Sequence, residues 1–274
     1  VNPGAERRID DVIPVLDQGF VVLRDYLGND ESVVSAARVS YDRGVGDEED
    51  TRRLINFLMR ERHTSPFEQC VLTFDIKAPI FVFRELVRHR TLRLNEISGR
   101  YAELAEEYYV PTLDRVRVQS KTNKQGSGEP VSPEAAEMFL DRTRDISSQA
   151  FDGYHHSLNQ EVARELARIT LPLNTYSRMR VQCDLHNLLH FTKLRTAQGA
   201  QWEIRQFAHA ISSIIRESFP MTWDAFEEHV LEAVTLSKTE RETLNTYLSS
   251  GTLTGIVKVD PVLQRIANKV RKTT

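Results

Sequence analysis

The chain has 274 residues, with 36 Lys+Arg against 39 Asp+Glu and a formal net charge of −3. With 40% hydrophobic and 27% charged residues, it has the make-up of a soluble globular protein, which excludes wholesale disorder. The acidic balance gives no global reason to expect nucleic-acid binding or a polybasic membrane anchor.

No apolar run approaches the roughly 18–20 residues that a membrane helix needs. Residues 1–11 (VNPGAERRIDD) read as a polar tail without the apolar stretch of a signal peptide. Gly19–Tyr26 has the composition of a first strand, and Glu31–Val39 has helical spacing. Asp47–Asp50 precede Arg52–Arg62, where Leu54, Ile55, Leu58 and Met59 recur at helical period. Acids at a helix N-terminus complement its partial positive charge. Cys70–Lys77 alternates, with Leu72, Phe74 and Ile76 on one face and Val71, Thr73, Asp75 and Lys77 on the other, which predicts a half-buried strand. Pro79 then suits the first turn of a helix over Ile80–His89.

Residues 116–132 are polar and rich in Gly, Ser, Asn and Lys, which predicts a long mobile loop. Ser132-Pro133 is a helix-start signal for a helix to about Leu158. Helical stretches follow at Glu161–Ile169, Cys183–Leu194 and Ala200–Phe219. In the last, Ile204, Phe207, Ala208, Ile211 and Ile215 share a face. Ser237 to Glu240 is a capping box, Gly251 falls at a C-terminal cap position, and 230–274 read as a helical extension. Nothing separates two folding units, so one α/β domain over 1–274 is expected, with more helix than strand. The two cysteines, Cys70 and Cys183, lie far apart among apolar neighbours. They read as buried thiols of a reducing cytoplasm, with no zinc site.

Arg84–Tyr101 (RELVRHRTLRLNEISGRY) holds Arg84, Arg88, Arg90, Arg93 and Arg100 against Glu85 and Glu96, with His89 among them. Like charges at Arg84 and Arg88 repel across one helical turn. Arginine grips phosphate with a two-pronged fork and keeps its proton. The stretch therefore asks for a phosphate ligand, for intramolecular carboxylate partners, or for solvent. A second polar group holds Arg178, Arg180, Arg195, Arg205, His186 and His190. On their own, Arg195 reads as a helix C-terminal cap and Arg205 as an ion-pair partner. The His186/His190 spacing lacks the acid and third ligand of a metal site. No GxGxxG, GxxxxGK[ST] or GxSxG pattern occurs.

Arg88-His89-Arg90, seven residues, then Ser98 resembles the RHR(x)7S signature of flavin-dependent thymidylate synthases. The likeness extends to Asn95-Glu96, Arg100-Tyr101, His63–Glu68 (HTSPFE), Lys77–Phe81 (KAPIF), Ala37–Ser40, Asn123–Gly126, Asp184–Phe191, Leu194-Arg195 and Ala200–Arg205, all in family order. It covers roughly residues 12–230. The resemblance implies an α/β (α+β) fold with a mostly antiparallel sheet flanked by long helices, and a cytoplasmic homotetramer with shared sites. It implies an enzyme that methylates dUMP at C5 to dTMP. FAD is the implied cofactor, and methylenetetrahydrofolate and NADPH are co-substrates. It also implies a small-molecule nucleotide partner, with neither nucleic acid nor membrane.

By the same resemblance, His63, Ser65, Glu68, Arg88, His89, Arg90, Glu96, Lys193 and Arg195 hold the flavin. Glu85, Arg88, Glu96, Ser98, Gly99, Arg100, Arg178 and Arg205 hold the nucleotide, and Arg88, Ser98 and Arg205 stand nearest the chemistry. Three positions depart from the family pattern: Glu85 where Gln is usual, Arg93 where Ser is common, and Gly199 where His often stands. Some relatives methylate UMP in nucleoside-antibiotic pathways, so UMP is the alternative substrate. A non-catalytic nucleotide-binding module is a lesser one.

Overall fold

The computed structural model describes residues 2–41, 44, 46–250, 263 and 266. Two compact units divide the chain, 1–223 and 224–274. The first is built on a five-stranded antiparallel sheet in the order β1-β2-β3-β7-β4. Its strands are β1 (Val12–Val15), β2 (Gly19–Leu27), β3 (Val71–Pro79), β4 (Arg93–Glu96) and β7 (Tyr176–Asp184). Around it lie α1 (Pro3–Arg8), α2 (Asp30–Arg38), α3 (Glu48–Arg60), α4 (Ser65–Glu68), α5 (Ile80–Leu86), α6 (Pro133–Asn159), α7 (Arg164–Ala167), α8 (Leu185–Arg195) and α9 (Trp202–Ser218). The antiparallel sheet with long helices is the fold that the resemblance implies. No described helix is long and apolar enough to cross a membrane.

α9 buries the face that its spacing predicts: Ile204, Phe207, Ala208, Ile211 and Ile215 are each at most 2% exposed. Each large apolar side chain so buried contributes about 1.5–3 kcal/mol. β3 departs from expectation. Leu72, Phe74 and Ile76 are buried as predicted, but Thr73 and Asp75 on the other face are buried too. That second face is covered by long polar side chains from neighbouring strands, which apolar alternation does not register.

Residues 2–11 of the expected tail are no tail. Asn2 Oδ1 accepts from Ala5 N at 3.0 Å and starts α1, while Asn2 Nδ2 donates to the Ser218 carbonyl at 2.7 Å. A Cβ on Gly4 would lie 1.8 Å from the Glu217 carbonyl oxygen. α1 thus docks on α9 through a close backbone approach, which leaves no hydropathy signal. Residues 117–130, inside the expected loop, form a hairpin of β5 (Arg117–Gln119) and β6 (Ser127–Pro130). Its turn is closed by Gly126 N donating to the Asn123 carbonyl at 2.9 Å. Strands so polar and exposed show no alternation to read. Cys183 belongs to β7 rather than to a helix, and α8 starts at Leu185 under an Asp184 cap. The stretch expected to be helical over 161–169 holds only α7 and a 3-10 turn, Arg168–Thr170.

α10 (Pro220–Phe226) spans the boundary between the units. In the second unit, α11 (Lys238–Ser250) begins with the predicted capping box. Ser237 N donates to Glu240 Oε2 at 2.8 Å, and Glu240 N to Ser237 Oγ at 3.3 Å. The cap expected at Gly251 lies outside the described residues.

Candidate active site

Asp75 organises the polar face of the sheet. Its cross-strand partner on β7 is Arg180, and that of Lys77 is Arg178. Directly opposed residues share a face. Asp75 is 3% exposed. It accepts from Arg24 Nε at 3.0 Å, Arg178 Nη2 at 2.6 Å, and Arg180 Nε and Nη2 at 2.6 and 3.1 Å. Burial works to raise this carboxyl, but the bonds from Arg180, Arg178 and Arg24 prevail and hold it well below the usual carboxylate range. With Asn95, Glu96 and Ile97 on the far side of β7, Asp75, Arg178 and Arg180 line an open cleft of about 390 Å³. Glu96 accepts the Ser177 hydroxyl at 2.7 Å.

A second cluster forms where α5 ends and α8 ends. Arg195 Nη1 donates to Glu85 Oε2 at 2.9 Å, Nη2 to the Glu85 carbonyl at 3.2 Å, and Nε to His89 Nε2 at 2.9 Å. Arg195 is therefore not a helix cap, because its fork closes on α5 instead. It also answers the Glu85 departure: the carboxylate has its own guanidinium. Burial raises the Glu85 carboxyl, Arg195 opposes this, and Glu203 adds to it. His89 Nε2 serves as an acceptor, which puts the ring proton on Nδ1. Burial, then the charges of Arg195 and His190, push His89 down to about 4.

The sign of the resulting pH effect is fixed. The unfolded imidazole, at 6.5, takes up its proton before the folded one. The contribution of His89 to stability is therefore complete above pH 6.5 and is lost as pH falls towards about 4. Thermal unfolding at pH 7 and pH 5 should show a drop that is smaller in His89→Gln. An equal drop in both proteins would refute this assignment.

Arg84, Arg88, Arg90 and Arg93 are exposed, and among the described residues none has a carboxylate within 4.0 Å. Only Arg100 is paired, to Glu165 at 3.3 Å. Of the three readings of this stretch, ion pairing holds for Arg100 alone. The other four guanidiniums are exposed, and Arg88 and Arg90 flank His89 in the chain.

The remaining positions are spread around these clusters. His63 is exposed and stacks edge-on against Phe57, 5.7 Å between centroids. Ser65 and Glu68, also exposed, lie on α4, which packs on α8, the helix of Lys193 and Arg195. Ser98 Oγ accepts from Arg100 N at 3.3 Å. The space over Gly99 is taken by its own chain, since an added Cβ would meet Arg168 Cδ at 3.1 Å and Leu104 Cδ1 at 3.2 Å. A Cβ on Gly199 would meet nothing within 4 Å. Arg205 forms no ion pair among the described residues. It lines a separate cleft of about 460 Å³ with Arg115, Arg117, Gln119 and Gln198. Sequence reasoning missed Asp75 and Arg24 as site residues. The signal available was a carboxylate in the middle of the strand TFDIK.

The model of the thymidylate synthase complementing protein family matches residues 22–221. A flavin-dependent thymidylate synthase of Thermus thermophilus is 51% identical over 237 residues, 86% of each chain. One from Ehrlichia ruminantium is 48% identical over 224 residues, 82% of this chain and 75% of that one. Among solved structures, a UMP/dUMP methylase from Streptomyces cacaoi bound with 5-Br dUMP is 35% identical, with a TM-score of 0.71 over 79% of this chain and 97% of that one. The same methylase bound with 5-Br UMP aligns equally well, at 36% identity.

Proposed function

This chain belongs to the thymidylate synthase complementing protein family, that of the flavin-dependent thymidylate synthases, and we propose that it converts dUMP to dTMP by reductive methylation at C5. FAD is the cofactor, methylenetetrahydrofolate the one-carbon donor and NADPH the reductant. The observation that carries this reading is the set of exposed guanidiniums, Arg84, Arg88, Arg90 and Arg93, that have no carboxylate within 4.0 Å among the described residues, in one segment with His89, which Arg195 holds. Such donors fit a pyrophosphate-bearing cofactor and a nucleotide phosphate, because a guanidinium fork matches phosphate oxygens and none has a described carboxylate to leave.

FAD, when bound, supplies the hydride that completes the new methyl group. Arg88, His89 and Arg90 would hold it, with His63, Ser65, Glu68, Glu96, Lys193 and Arg195 around them. Arg195 occupies His89 Nε2, so His89 offers only a donor, Nδ1–H. Glu85, Glu96, Ser98, Gly99, Arg100 and Arg178 bind the nucleotide, and Arg88 reaches both ligands. Uracil C5 is a poor nucleophile, so negative charge builds on the ring as it reacts. The Arg205 guanidinium, with no ion pair among the described residues, is suited to stabilise that charge. Neither cysteine competes as a nucleophile. Burial pushes the Cys70 and Cys183 thiols up to about 12, far from the thiolate that attack on the ring requires.

Ser98 has a backbone amide on its hydroxyl and no hydrogen-bonded base among the described residues, so it orients the nucleotide rather than attacking it. Ser98→Ala should keep measurable turnover. Complete loss of turnover with normal flavin and nucleotide binding would show a chemical role instead.

Arg178 and Arg205 line different clefts, as expected if one complete site draws on two copies of the chain. Met138, Phe139 and Ile146 on α6, with Leu166, Ile169 and Leu173 nearby in sequence, are more than half exposed. Surfaces of this kind support a homotetramer with shared sites. The two free thiols suit a reducing cytoplasm.

UMP is the second reading, favoured by the likeness to the Streptomyces cacaoi methylase. The flavin-loaded protein should be yellow and should form the 5-methyl product from dUMP. Product from UMP with none from dUMP would overturn the choice of substrate.

A further inference from the structure

Arg180 has no role in the reaction so assigned, yet it is built into the same cleft as Arg178. Both stand on one face of β7, each side chain about half exposed, at 53% for Arg178 and 52% for Arg180. A guanidinium has five N–H donors. Arg180 spends two of its donors on Asp75 and Arg178 spends one, so most of both forks remain open to the cleft. Arg178 is further held over the Phe20 ring, 5.9 Å from its centroid.

The count of unspent donors separates a ligand site from a closed ion-pair network. Arg24 has a second carboxylate, Asp10, at 2.6 Å. Among the described residues Asp75 is the one carboxylate that Arg178 and Arg180 bond, which leaves three donors of Arg180 and four of Arg178 unspent on it. Glu96, the other acid of the cleft, is tied to the Ser177 hydroxyl and suits a sugar hydroxyl better than an anion. Asn95, directly across from Arg180 on β4, adds a neutral amide to the rim. The free donors of both guanidiniums line the cleft.

We propose that Arg180 is a second phosphate-binding guanidinium beside Arg178, and that buried Asp75 is the positioning residue that holds the pair in place. This rests on the reading that the chain binds a mononucleotide. Asp75 touches no ligand. It fixes two flexible side chains before the nucleotide arrives, so less ordering entropy is lost on binding.

The test is titration calorimetry on the full-length, flavin-loaded protein with dUMP and with deoxyuridine, which differ only by the phosphate. Arg180→Gln should weaken dUMP binding by about 10-fold or more, the loss of one charge-assisted hydrogen-bonded contact, and leave deoxyuridine binding unchanged. Arg180→Lys should recover part of the loss, because it keeps the charge without the fork. Asp75→Asn should show the same selective loss of dUMP affinity. If that variant does not fold, the two Arg180 variants carry the test alone. Wild-type dUMP affinity in Arg180→Gln, or equal loss for dUMP and deoxyuridine, overturns the proposal. Should the wild-type protein bind neither dUMP nor UMP, the nucleotide reading itself falls, and the proposal with it.

Discussion

Replacing Arg195 by methionine is expected to give a protein that purifies almost colourless and unfolds at a lower temperature than the wild type. The guanidinium satisfies three acceptors at once: the Glu85 carboxylate, the Glu85 carbonyl and His89 Nε2. Methionine fills much of the same volume and offers none of the donors. Glu85 and Arg195 are mostly buried, with side chains 26% and 20% exposed. Leaving the carboxylate and the imidazole nitrogen unpaired costs on the order of 2–3 kcal/mol. For a chain of this size that is roughly 5–10 °C in melting temperature. Flavin content should fall at least 10-fold, because His89 then loses the bond that fixes its ring and tautomer. Full flavin content with an unchanged melting temperature would show that this cluster neither supports the fold nor shapes the cofactor site.

Arg88 should behave in the opposite way. It is exposed and has no carboxylate partner among the described residues, so Arg88→Ala removes nothing that the fold uses. Its melting temperature should stay within about 1 °C of the wild type, as for an ordinary surface substitution. Activity should fall sharply. Loss of a charge-assisted contact to a phosphate or flavin is worth about 3 kcal/mol, or roughly 100-fold in kcat/KM. The pairing of the two variants is informative: Arg195→Met damages stability and site together, whereas Arg88→Ala damages the site alone. An Arg88→Ala protein within threefold of wild-type activity would remove Arg88 from the site.

What the sequence carried legibly was whatever leaves a periodic or motif signature. The apolar stripe of α9, the Ser237–Glu240 box, the Ser132-Pro133 start and the block order around Arg88-His89-Arg90 all stand in the structure as read. What it hid was set by contacts between distant residues. The helix at residues 3–8 depends on Gly4 meeting the Glu217 carbonyl, and no local pattern encodes that meeting. The burial of Asp75 depends on arginines 51 and 103–105 positions away, so its strand read as half-exposed. The hairpin at 117–130 has no buried face and therefore no alternation. For the site, residue identity marked Glu85 as a departure from the family pattern, while only the fold shows that Arg195 neutralises it.

Flavin-dependent methylation of a uracil nucleotide by this chain is open to one direct measurement. The full-length protein, loaded with FAD, is incubated with dUMP, methylenetetrahydrofolate and NADPH, and dTMP is followed by chromatography. Repeated turnovers to dTMP are expected, with none formed when FAD is omitted from flavin-free protein. A flavin-loaded protein that yields no 5-methyl product from either dUMP or UMP would contradict this function.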